Sequence, residues 1–170
     1  MAALIDATAD IPKFTFAGTT HTAKVVSCYD GDSFEAAMYI GDKLWKFDCR
    51  MSGYDSPEIK PLKTSANREA EKAAALRAKT ALLSFVCDGV NASRTYTNKE
   101  LDALVKQNKK LIELQCKEFD KYGRLLVEIS ITSITSAAAA AISSSTVNAW
   151  MVTNKYGYEY TGGTKKVFTS

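Results

Sequence analysis

Two runs of strict alternation meeting at Gly41-Asp42 constrain this chain more than any other feature. In SFEAAMYI (33–40), Phe34, Ala36, Met38 and Ile40 fall on one side. In KLWKFDCRM (43–51), Trp45, Phe47, Cys49 and Met51 fall on one side and Lys46, Asp48 and Arg50 on the other. A period of two marks a strand with one face toward a core and the other toward water. KVVSCY (24–29) precedes them across the turn Asp30-Gly31-Asp32, so a three-stranded meander is expected.

The rest of the chain supplies helices and two more strands. Residues 52–58 form an irregular loop in which Pro57 biases Ser56 away from helix. A helix is expected over 65–86, capped by Ser65, with Ala66, Ala70, Ala73, Leu76, Thr80 and Leu83 as its apolar stripe. Thr97 and Glu100 have capping-box spacing and open a short helix to about Gln107. KKLIELQCK and RLLVEISI read as the fourth and fifth strands, joined by a hairpin turn at 119–123. Residues 132–146 (TSITSAAAAAISSST) read as an inserted loop, and a third helix is expected over 147–154. The fold class is then α+β: a five-stranded OB-like Greek-key barrel with about three α-helices. Residues 1–20 read as a polar, weakly patterned arm and 21–170 as one domain, with insertions near 91–107 and 132–145.

Composition excludes little. A length of 170 residues is enough for one core, and a net charge of +3 is only mildly favourable to a nucleic-acid partner. No run approaches the roughly 20 apolar residues that span a bilayer. The N-terminal residues, with two aspartates and no apolar core, do not read as a secretory signal, so a cytoplasmic monomer is expected. Cys28, Cys49, Cys87 and Cys116 are scattered and His21 is the single histidine; buried thiols are the expectation, with two disulfides as the alternative.

What remains after the apolar faces are assigned is a set of acids and arginines near loops. Asp30 and Asp32 flank a glycine at a turn, Asp55 and Glu58 flank Ser-Pro in an irregular loop, and Arg50 and Arg124 sit at strand ends. Each alone has an ordinary reading: Asp-Gly is a common turn dipeptide, and a strand-end arginine is usually a surface charge. Together they suit metal-assisted phosphodiester hydrolysis. Carboxylate and carbonyl oxygens suit a hard divalent cation, a further carboxylate suits general-base work on water, and two guanidinium groups suit a phosphate.

The order and spacing of these residues resemble the staphylococcal nuclease (thermonuclease) family. Tyr29-Asp30-Gly31-Asp32-Ser33-Phe34 is similar to that family's Asp-Gly-Asp-Thr turn. Arg50-Met51-Ser52-Gly53-Tyr54-Asp55-Ser56-Pro57-Glu58 is similar to its arginine-to-Asp-Thr-Pro-Glu segment, and Asp120-Lys121-Tyr122-Gly123-Arg124 to its Asp-Lys-Tyr-Gly-Arg turn. The resemblance spans roughly residues 22–160, and the three motifs stand in register. It implies a calcium-dependent endonuclease acting on DNA or RNA and leaving a 3′-phosphate. Asp32 and Asp55 would bind calcium through side-chain oxygens and Ser56 through its carbonyl, with Asp30 behind them. Glu58 would be the general base; Arg50 and Arg124 would clamp the phosphate; Lys121 and Tyr122 would contact a neighbouring phosphate.

Departures leave some points open. Ser56 stands where the family has threonine, and Gly53-Tyr54 replace an aliphatic pair. Tyr156, Tyr158 and Tyr160 are candidates for base stacking, but packing of a C-terminal segment explains them equally well. The alternative function is a catalytically inactive module of the same fold that binds nucleic acid or protein. Retention of every acid and arginine favours the enzyme.

Overall fold

The computed structural model describes residues 4–64, 67–131, 145–163 and 166. The two alternating runs fold as read: β2 is Ser33–Ile40 and β3 is Lys43–Met51, paired antiparallel from Ser33↔Arg50 to Ile40↔Lys43. Strand β1 (Thr20–Cys28) starts earlier than the sequence suggested and carries a register shift between Val25 and Ser27. After the short β4 (Tyr54–Asp55) come helix α1 (Arg68–Val86), helix α2 (Asn98–Gln107), β5 (Ile112–Phe119), β6 (Leu125–Ile129), α3 (Val147–Thr153) and β7 (Tyr158–Glu159).

Strands β1-β2-β3-β6-β5 close into a barrel; β4 and β7 make a separate two-stranded ribbon. Closure removes sheet edges, and it rests on one parallel pairing, β3 with β6 through Cys49↔Leu125 to Met51↔Val127. The core is filled by inward residues such as Val25, Phe34, Met38, Met51, Leu114 and Val127. Outside the barrel, α2 packs against β1 and α3 against β6 and α1.

Three expectations need correction. Trp45 does not join the core; it is 52% exposed, because β6 reaches only Cys49–Met51 and leaves the outer half of β3 flanked by β2 alone. Arg50, assigned to the water side, is buried, because two carboxylates meet its guanidinium there. The apolar stripe of α1 holds only in its later turns: Ala70 and Ala73 are exposed, Leu76 packs against the core and Thr80 and Leu83 are buried, joined there by Ala75, Ala78, Leu82, Phe85 and Val86, with Ala78 against the turn at Gly31. The helix begins at Arg68, and the expected cap Ser65 and stripe residue Ala66 lie outside the described residues, as do residues 132–144 of the second insertion.

The arm is also less polar in practice than its sequence suggests: Phe16 is buried, edge-on to Phe14, His21, Phe47 and Phe119. All four cysteines are buried and free. Among the described residues, no helix is long and apolar enough to cross a membrane.

Candidate active site

The barrel topology brings three distant sequence segments to one end of β3. Arg50 sits next to the last residue of β3, and Ser33 is its register partner, so the Asp30–Asp32 turn lies beside it; the amide N–H of Met51 donates to the Asp32 carbonyl at 2.8 Å. Because β6 runs parallel to β3, its first residue pairs with Cys49, and Arg124 just before it arrives at the same end.

Two glycines allow the loops to approach. A Cβ on Gly31 would lie 2.6 Å from the Ala78 Cβ and 3.0 Å from the Ser56 Cβ, so only glycine lets the turn nest between α1 and the Ser-Pro loop. A Cβ on Gly157 would lie 2.7 Å from the Asp55 carbonyl oxygen and from Tyr54 Cδ2, so glycine is also required where β7 meets β4. Buried Tyr54 ties the two loops together: its hydroxyl donates to the Gly31 carbonyl at 2.6 Å.

At the centre, the Arg50 guanidinium donates to Asp32 Oδ1 from Nη1 at 2.6 Å and to Asp55 Oδ1 from Nη2 at 2.5 Å, with all three side chains buried. The second oxygens are also engaged. Asp32 Oδ2 accepts from the Ser56 amide at 2.7 Å, and Asp55 Oδ2 accepts from the Tyr158 hydroxyl at 2.7 Å. Burial alone would lower the Arg50 pKa, but the charges of Asp32 and Asp55 outweigh it and raise the net value, so the guanidinium stays charged. Asp30 accepts the amides of Asp32 and Ser33 on Oδ1 at 3.0 and 2.9 Å. Burial first, then the neighbouring Asp32 and Glu58 charges, push its carboxyl up to about 7 against the pull of those amides.

A cavity of about 380 Å³ opens here, lined by Asp30, Glu58, Arg50 and Arg124, with Glu35, Asp48 and Tyr29 among its walls. Arg124 is positioned by a partner that the sequence reading missed. Asp120, four residues earlier in the hairpin, accepts from Arg124 Nε at 2.8 Å and Nη2 at 2.7 Å in a two-pronged pair. Burial would raise Asp120, but the Arg124 amide and guanidinium and the Tyr122 amide outweigh it and lower its pKa. The missed signal was an aspartate opening a tight turn with an arginine at the other stem.

Lys121 and Tyr122 lie at the hairpin tip, with Lys121 Nζ 5.0 Å and Arg124 Cζ 5.4 Å from the Tyr122 ring centroid. The three candidate tyrosines separate. Tyr156 stacks on Trp150 and belongs to the packing. Tyr158 is joined to Asp55 through its hydroxyl, and the Tyr160 ring lies 5.9 Å from Arg50 Cζ. Tyr160, Lys121, Tyr122, Arg50 and Arg124 share the wall of a second cavity, of about 790 Å³.

One spatial expectation is met only in part. Asp32 and Asp55 converge, but a guanidinium stands between them rather than opposite them. Among the described residues no group of three or more acids, histidines or cysteines is gathered around one point. Glu58 faces the cavity with the arginines instead. The pair still suits a hard cation in its chemistry: both donors are carboxylates, they come from separate loops, and beside them Ser56 Oγ is buried without a hydrogen-bond partner among the described residues. No protein-family model matches the chain, and no curated protein matches it.

Proposed function

We propose that this protein is a metal-dependent phosphodiesterase that cleaves DNA or RNA, with calcium as its cation and products that carry a 3′-phosphate. The observation that supports this reading is one cavity lined jointly by Glu58, Arg50 and Arg124, with Arg50 also holding Asp32 and Asp55 behind it.

Asp32 and Asp55 would hold the cation, with the Ser56 carbonyl completing the protein's share; a bound divalent ion supplies charge neutralisation at the phosphate and acidifies coordinated water. Glu58 accepts the proton of the attacking water, whose oxygen bonds to phosphorus as the bond to the 5′ oxygen breaks; that oxygen leaves as a hydroxyl with a proton taken from solvent. Arg124, fixed by Asp120, presents its free N–H edge to the phosphate oxygens. Arg50 spends two N–H groups on Asp32 and Asp55 and keeps others for the same phosphate. Both arginines then stabilise the charge that grows on the phosphate oxygens in the transition state. Lys121 and Tyr122 receive a neighbouring phosphate.

The test is digestion of plasmid DNA and of RNA by the purified protein in calcium, in magnesium and in chelator. Cleavage with calcium that chelator abolishes, leaving 3′-phosphate ends, is the expected result. Binding without cleavage under every condition would overturn the enzyme and leave a nucleic-acid-binding module of the same fold.

A further inference from the structure

The segment 91–107, which the family resemblance treats as an insertion, builds a third cavity. Within it, the capping box of Thr97 and Glu100 starts α2, and Leu101 and Val105 bury its inner face. A buried lysine locks α2 to α1: Lys79 Nζ donates to Asn98 Oδ1 at 2.7 Å and to Asp102 Oδ1 at 2.8 Å. The result is a cavity of about 410 Å³ lined by Lys60, Lys79 and Lys106 against one acid, Asp102.

This cavity adjoins the central one, since Ser27 and Tyr29 line both; on the other flank, Arg50 and Arg124 line both the central and the 790 Å³ cavity. The central cavity has four acids (Asp30, Glu35, Asp48, Glu58) against the two arginines, the flank at α2 has three lysines against one acid, and the far flank shares both arginines and otherwise has two lysines against two acids. Each flank also carries an exposed tyrosine with a cation over its ring. Tyr122 is 72% exposed under Lys121 and Arg124, and Tyr29 is 48% exposed with Lys60 Nζ 5.8 Å from its centroid. Basic side chains interleaved with exposed aromatic faces suit a single-stranded nucleic acid, whose phosphates and bases alternate in the same way.

We infer that the three cavities form one groove for a single strand several nucleotides long, in which Lys106 of α2 and Lys60 of the loop after β4 provide the second basic flank. The groove extends the phosphodiesterase reading of the central cavity and rests on it.

The experiment compares wild type with Lys60→Gln/Lys106→Gln and with a control, Lys43→Gln/Lys109→Gln, that removes equal charge outside the three cavities; all four lysines are exposed. Binding of a fluorescent single strand of about twelve nucleotides is measured in chelator against salt. The groove variant should flatten the slope of log K against log salt by about 1.4, roughly 0.7 per lost phosphate contact, and the control should leave it unchanged. In calcium, the rise in KM should grow with strand length, from under about twofold on a dinucleotide to roughly tenfold on the longer strand, with kcat unchanged. Equal slopes for wild type and groove variant, or the same loss in both double variants, would overturn the groove. If no strand is cleaved in any cation yet the slopes differ as stated, the phosphodiesterase reading falls and the groove stands.

Discussion

The sharpest consequence of the central ion triad is what happens when its cation is removed. Arg50→Met keeps much of the side-chain volume but leaves Asp32 and Asp55 facing each other in a buried site, without the guanidinium that now contacts both. Breaking a buried ion pair from one side costs about 3–5 kcal/mol. A ceiling comes from the escape route: one acid can take up a proton, and protonating an ordinary carboxylate at pH 7 costs about 4 kcal/mol, roughly three pH units at 1.36 kcal/mol each. The expected loss at pH 7 is therefore about 3–4 kcal/mol. With a urea m-value of about 2 kcal/mol/M, the unfolding midpoint should fall by roughly 2 M. The penalty should shrink toward about pH 4, where protonation no longer opposes the escape. Added calcium should restore part of the midpoint in the variant, and chelator should take it away, since the two acids then have a cation again. Urea denaturation followed by tryptophan fluorescence at the two pH values, with and without calcium, reads all three effects. A midpoint shift that is absent, or equal at both pH values, would refute the idea that Arg50 is there to neutralise the acids.

Other perturbations follow from the same geometry. Glu58→Gln should lower kcat by about 10²–10⁴-fold with nucleic-acid affinity kept, because only the proton acceptor is lost; single-turnover cleavage beside a binding titration separates the two. Asp120→Asn should reduce kcat/KM by about tenfold through a loosened Arg124. Because the Asp120 pKa is lowered in the fold, the stability this acid contributes is present above the ordinary aspartate value and lost as pH falls through its folded value, so urea midpoints of wild type and variant should converge in acid. Asp102→Ala should cost about 2–3 kcal/mol, below the full buried-pair figure because Asp102 is half exposed, whereas Lys79→Met should be near neutral in urea titrations. Gly31→Ala should cost about 1–3 kcal/mol through the Ala78 contact and should lower cleavage as the Asp32 turn shifts.

Local signals in the chain were enough for the barrel's parts and for the residue types of the site. Alternation defined β2 and β3 to the residue because one face of β2, and the same face of β3 from Phe47 to Met51, needs the core. The capping box defined α2 because two side chains and two backbone amides satisfy one another within four residues. The acid and arginine motifs were visible because such side chains next to tight loops have few packing reasons to be there. Faces and partners depended on what lies across space. Trp45 is exposed because β6 stops short of it, and Ala78, outside the expected stripe of α1, is buried because it fits a glycine turn 47 positions earlier.

Only the tertiary structure decided that β6 runs parallel to β3, which puts Arg124 beside Arg50, and that Arg50 stands between Asp32 and Asp55 rather than across from them. It alone showed α2 locked down by buried Lys79 to wall a third cavity. A sequence specifies which groups a chain carries and the local period of its elements. Which charges share a small buried volume is settled by strand direction and register, and these come from the closure of the whole barrel.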